Sequence, residues 1–136
     1  RESARMVANF LQEGRNQSIA EGIAYTVSCN PATVEQSSIL PKTCIVSSIG
    51  YDDSTHTFSG GVQVANYTFK DTVAMATGDA CDETAVTQIE YFPSGSAEII
   101  SGSLPLTVCV LSSAGDVRFK VQLESSMTGK VSINRP

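Results

Sequence analysis

Apolar and small residues open the chain at helical spacing. Ala4, Val7, Ala8, Leu11, Gly14, Arg15 and Ser18 recur three and four positions apart, which predicts an amphipathic helix over residues 1–22. Met6 and Phe10 widen the stripe, and Gly22 supplies a C-terminal stop. Most of the stripe is small, so the face it makes is narrow and suited to lying close on a sheet. Gly14 costs the helix about 1 kcal/mol relative to alanine. Close approach of a neighbour at that point is the expected compensation.

Beyond Gly22 the period drops to two. Ile23–Cys29 alternates and is rich in β-formers, and Asn30-Pro31 breaks it. Further strands are predicted at 43–49, 62–69, 72–76, 86–92, 97–100, 104–111, 117–123 and 130–133. The residues between them carry turn chemistry: Gly50-Tyr51-Asp52-Asp53-Ser54, Pro93-Ser94-Gly95-Ser96, Gly102-Ser103, Ser112–Gly115 and Thr128-Gly129. The run 104–111 is almost continuously apolar, the pattern of a central strand. In 117–123, Val117, Phe119, Val121 and Leu123 take one face, and Arg118, Lys120 and Gln122 the other. Short strands joined by tight turns argue for antiparallel pairing and against βαβ units. The expected fold is α+β: one long N-terminal helix packed on antiparallel β-sheet, in a single domain of residues 1–136, with 1–22 helical and 23–136 a β-rich head.

Composition sharpens this picture. At 136 residues and 41% hydrophobic, the chain fits one domain and is not disordered overall. Serine and threonine supply 30 residues, while charged residues are only 17%. The net charge is −5, and the acid is concentrated: residues 30–115 hold nine carboxylates against Lys42 and Lys70. Such a body repels phosphate backbones, which argues against general nucleic-acid binding. No run reaches the ~18 apolar residues of a membrane span. The sequence starts at Arg1, inside the predicted helix, so an upstream segment is expected.

Cys29, Cys44, Cys81 and Cys109 stand at spacings of 15, 37 and 28, without a CxxC pair. That is a poor zinc pattern and a good one for two disulfides in an oxidising compartment. Three pairings are open. Cys29–Cys44 with Cys81–Cys109 is the favoured one, each bridge stapling a loop to a strand.

Candidate chemistry is sparse. His56 is the one histidine, flanked by threonines in a polar stretch with no nucleophile motif around it, and reads as an exposed loop residue. Asp52-Asp53 and Asp79, Asp82, Glu83 are carboxylate groups. The second group offers three oxygen donors for calcium, but the 6–8 oxygens a calcium ion takes are not spelled out, and solvated loop acids are the preferred reading. No catalytic residue, cofactor, metal or small-molecule substrate is expected.

The stretch Leu11-Gln12-Glu13-Gly14-Arg15-Asn16-Gln17-Ser18-Ile19-Ala20-Glu21-Gly22, followed by a strand ending in Cys29, resembles the signature of the GspH/FimT family of minor pseudopilins and minor pilins. That signature runs roughly L-x-x-A-R-S-E-A-I-x-x-G. Leu11, Arg15, Ile19 and Gly22 match it in register. Gly14 and Ser18 stand for two alanines, and Asn16-Gln17 for Ser-Glu. Ile89–Ala97, with its Pro93-Ser94-Gly95 turn, is similar to the family's P-x-G hairpin. Thr128-Gly129-Lys130-Val131 is similar to its T-G-R-hydrophobic segment before the last strand.

The resemblance implies a pilin-like fold and assembly work in place of catalysis. The chain would be a minor pilin that primes or caps the tip of a type IV pilus through other minor pilins, next to the major pilin. The alternatives are a GspH-like minor pseudopilin of a type II secretion system, or a DNA-binding or adhesive minor pilin. An apolar helix of about 25 residues upstream would anchor the subunit in the bacterial inner membrane, with the head in the periplasm until it joins the filament. Arg1, Glu2, Arg5, Glu13 and Arg15 are the expected subunit-interface residues. One DNA-uptake branch carries a C-terminal G-R-x-R motif. Gly129-Lys130-Val131-Ser132 keeps only one cation of it, so Lys130 and Arg135 would make at most a weak DNA contact. Outside this family, an extracellular adhesin or a small secreted inhibitor or hydrolase would suit the same composition.

Overall fold

The structure is a computed structural model and describes residues 2–52, 57–59, 62–70, 72–101, 106–112, 114–124 and 130–135. The predicted helix forms α1, Glu2–Glu21. Ten strands follow: β1 Ala24–Asn30, β2 Thr43–Asp52, β3 Thr57–Ser59, β4 Gln63–Thr68, β5 Val73–Thr77, β6 Thr87–Tyr91, β7 Ala97–Ser101, β8 Leu106–Ser112, β9 Val117–Leu123 and β10 Val131–Asn134. Every pairing is antiparallel. One sheet runs β3-β2-β1-β6-β7, with β4 also on β2; the other runs β10-β9-β8-β5.

The sequence pattern misplaces one turn. Gly50, Tyr51 and Asp52 continue β2, and β3 pairs with that end of it. Ten residues of β2 give its outer edge room for two partners, β3 at one end and β4 at the other. A three-residue strand such as β3 leaves too short an alternation to be read from sequence. The Gly102-Ser103 and Thr128-Gly129 turns and His56 lie outside the described residues.

α1 ends where expected. Gly22 has φ of +70°, and its N–H donates to the Ser18 carbonyl at 3.0 Å. The buried stripe is Ser3, Ala4, Val7, Ala8, Phe10, Leu11, Gly14 and Ser18. A Cβ on Gly14 would stand 2.6 Å from Val27 Cγ2 and 3.0 Å from Tyr91 Cδ2, so this glycine is where the helix beds onto β1 and β6. One turn on, Ser18 Oγ lies 2.7 Å from the Ile23 carbonyl and 3.0 Å from the Tyr91 carbonyl.

The buried side chains form one large cluster drawn from α1 and both sheets, including Val7, Leu11, Val27, Val46, Ile89, Tyr91, Val108, Val121 and Leu123. β1 is buried along its whole length, polar positions included. It is flanked on both edges, and its polar residues are short. Thr26 Oγ1 meets Ser47 Oγ at 3.1 Å, and Gln88 Nε2 donates to Ser28 Oγ at 3.1 Å. The central-strand reading of 104–111 is met by β8, which lies between β9 and β5 and is buried over Leu106–Val110.

The cysteines pair as Cys29–Cys44 and Cys81–Cys109. The second bridge staples the 78–85 loop to β8. The first does not tie a loop to a strand: Cys29 and Cys44 are direct cross-strand partners in β1 and β2, with Cα atoms 4.1 Å apart.

Candidate functional site

Charged residues on α1 are few, and packing divides them. Arg5 is exposed in the first turns and Glu13 in the middle. Glu13 Oε1 accepts a hydrogen bond from Gln17 Nε2 at 3.3 Å, one helical turn on. Arg15 is half-buried and turned towards the β6–β7 hairpin, where its Nε donates to the Gly95 carbonyl at 3.0 Å. It therefore clamps the helix to the sheet, and only part of it faces outwards. Arg1 lies outside the described residues, and Glu2 opens the helix.

The C-terminal cations do not form a patch either. Lys120 Nζ donates to the Asp79 carbonyl at 2.7 Å, which ties β9 to the acidic loop. Lys130 Nζ lies 3.6 Å from Glu124 Oε2 with its side chain 72% exposed, a weak surface pair. Lys130 and Arg135 flank the two ends of β10, about 16 Å apart at ~3.3 Å per residue. They do not converge on one phosphate. Among the described residues, no group of three or more His, Cys, Asp or Glu side chains is placed to hold a metal ion.

What the fold does assemble is a hollow where the start of α1 passes the end of β10. Arg5, Phe119, Ile133 and Arg135 line it, and it encloses about 230 Å³. The Arg135 guanidinium sits 5.8 Å from the centroid of the Phe119 ring. The strand register explains the contact. Val131 opposes Leu123 and Ile133 opposes Val121, so the next step along the ladder sets Arg135 against Phe119. Ile133 stays 45% exposed.

In the sequence Arg5 falls among the expected interface residues, Arg135 with the weak DNA contact, and Phe119 on the apolar face of its strand. Counting outwards from a turn at Thr128-Gly129 would set position 135 against 122, whereas the observed register carries it to 119, so the sequence held no usable signal for this contact. Nothing local to Arg5 pointed to β10.

The sequence also passed over Asn30, which is fully buried. Its Nδ2 donates to the carbonyls of Val34, Ile39 and Leu40, and its Oδ1 accepts from the Ala32 N–H. It thereby fixes the 31–42 loop that presents Val34 and Leu40 to solvent.

Burial holds the Tyr91 hydroxyl well above the usual tyrosine range, partly countered by the nearby Arg15 charge. Among the described residues that hydroxyl has no hydrogen-bond partner. Tyr25 is also raised, by burial and then by Glu21.

No protein-family model matches the sequence, and no curated protein matches it. Solved structures do match. The minor pseudopilin EpsH of the Vibrio cholerae type II secretion system overlays with a TM-score of 0.65 at 12% identity, covering 98% of this chain and 94% of that one. A second crystal structure of EpsH gives 0.66 at 11% identity, covering 100% and 95%. The Pseudomonas aeruginosa type IV minor pilin FimU gives 0.56 at 12% identity, covering 98% and 90%. The pilin-like fold implied by the sequence signature is therefore the fold found.

Proposed function

We propose that this chain is the globular part of a non-enzymatic minor subunit of a pilus-like filament. It primes or caps the filament tip by binding other minor subunits and, through them, the major one. The observation carrying this reading is the end-to-end overlap with a minor pseudopilin and a minor pilin. The helix signature around Arg15 and Gly22 supports it independently. A tip subunit needs one heterologous interface where a repeating subunit needs two. Arg5 and Glu13, open on α1, are its charged elements on this side, and complementary charge there sets register and partner choice. An apolar helix preceding Arg1 would hold the subunit in the inner membrane, head in the periplasm, before assembly.

The sequence reading favours the type IV pilus. The higher overlap with EpsH than with FimU favours the second reading, a type II secretion pseudopilus. Deleting the gene tests both. Loss of surface filaments, restored by the wild-type gene, supports the pilus. Loss of protein secretion with filaments intact supports the pseudopilus. Unchanged filaments and unchanged secretion overturn the proposal.

A further inference from the structure

The hollow between α1 and β10 joins features that pull in one direction. Arg5 and Arg135 both line it, with no carboxylate among the lining residues. Neither Arg5 nor Arg135 has a carboxylate partner among the described residues. Two like charges facing one small space repel, and an anion between them relieves that repulsion. The floor is apolar, since Phe119 and Ile133 supply it and Ile133 keeps nearly half its surface uncovered. Arg135 lies over the Phe119 ring, and an arginine on an aromatic face can still offer its N–H fork to a carboxylate. At about 230 Å³ the space falls below the ~300–1,000 Å³ of small-molecule sites. It suits a side chain or two of another protein. β10 is the outer strand of its sheet, so the hollow is open sideways to such a chain.

We propose that this hollow seats an acidic–apolar segment of a neighbouring subunit. A Glu or Asp carboxylate lies between Arg5 and Arg135, and an adjoining aliphatic side chain rests on Phe119 and Ile133. This deepens the assembly reading above and rests on it for the identity of the partner as a filament subunit. Charge selects the occupant. The body of this chain is acidic between residues 30 and 115, so an acidic segment is repelled elsewhere and accepted here, which fixes its register. Two guanidiniums on an apolar floor suit a carboxylate on an apolar chain better than a phosphate backbone, which calls for a longer run of cations.

The test is an NMR titration of the isotope-labelled 136-residue chain with the peptide acetyl-Gly-Ile-Glu-Ile-Gly-amide and its Gln counterpart. The Glu peptide is expected to shift Ile133, Phe119, Arg135 and the Arg5 Nε resonance, at least fivefold more strongly than the Gln peptide. Raising the salt concentration is expected to weaken the effect. Arg5→Glu and Arg135→Glu are each expected to abolish it while the core Leu11 and Val108 methyls stay in place. Ile133→Ser, which keeps both charges, is expected to weaken it.

Equal response to the two peptides, or indifference to both charge reversals, overturns the proposal. So does tighter binding to a 12-base-pair duplex or to phosphatidylglycerol vesicles than to the peptide, or self-association of the chain through this face. If gene deletion affects neither filaments nor secretion while the peptide still binds, the assembly reading fails and the seat stands. If deletion abolishes assembly and the peptide does not bind, the seat alone fails.

Discussion

At single positions the fold depends on what is small or fully satisfied. Gly14 lets α1 lie on Val27 and Tyr91, where an added Cβ would come within 2.6 Å of a branched side chain on a central strand. Gly14→Ala is therefore expected to destabilise by about 1–3 kcal/mol through overpacking, despite the ~1 kcal/mol gained in helix propensity. Denaturant melts check this, and Val27→Ala in the same chain should restore part of the loss. Asn30 is the polar counterpart. Asn30→Ala removes the donor shared by three carbonyls and is expected to cost about 3 kcal/mol, since buried groups left unpaired carry their full desolvation penalty. Hydrogen exchange should then accelerate over residues 31–42 before it does in β1. Gly14 was legible as an anomaly in a helical stripe. Asn30 was not, because an asparagine before proline reads as an ordinary strand breaker until its partners nine and ten residues on are folded against it.

Among the elements, β6 and β7 carry a conflict. Glu90 and Glu98 face each other directly across the pair, and like charges so placed are destabilising. The Glu90 carboxyl is held above its ordinary value of 4.5 by burial first and by Glu98 second. A carboxyl raised on folding binds its proton more tightly in the native state, so this group's contribution to stability is fully present below about pH 4.5 and is lost as the pH climbs through the raised value. Glu90→Gln is therefore expected to raise Tm at pH 7 and to leave it unchanged at pH 3.5. A wild-type advantage at neutral pH would contradict the assignment. The disulfides also differ by element. In the chain-entropy account, closing 15 residues is worth about 3 kcal/mol and closing 28 slightly more. Replacing either pair by serines is expected to cost roughly that much. Only loss of Cys81–Cys109 should loosen the 78–85 loop selectively in hydrogen exchange, because Cys29 and Cys44 are already held opposite each other by the β1–β2 ladder.

For the whole molecule, the uneven charge is the feature with consequences. An acidic body with isolated cations at the α1–β10 corner approaches partners in one orientation, and long-range attraction of this kind is screened by salt. Under the proposed assembly role, reversing Arg5 to Glu is expected to slow association with partner subunits and flatten its salt dependence, while stability changes by no more than about 0.5 kcal/mol, as for other exposed positions. Stopped-flow association at two ionic strengths, beside a melting curve, checks both halves. The cations near the C-terminus are dispersed in the fold: Lys120 goes to a backbone carbonyl and Lys130 to Glu124.

The sequence by itself determined the helix, nearly every strand and the antiparallel pairing, because these follow from the period of apolar positions and from local turn chemistry. It also carried a resemblance to the GspH/FimT signature, strongest over the continuous stretch from Leu11 to Gly22. Tertiary structure decided which charges stay open and which are consumed, and which distant residues share a surface. Arg15 became a clamp on Gly95, and Arg5 met Phe119, Ile133 and Arg135 across more than a hundred positions of chain. Periodicity reports which face of an element is buried. It carries no record of which other element will lie beside that face.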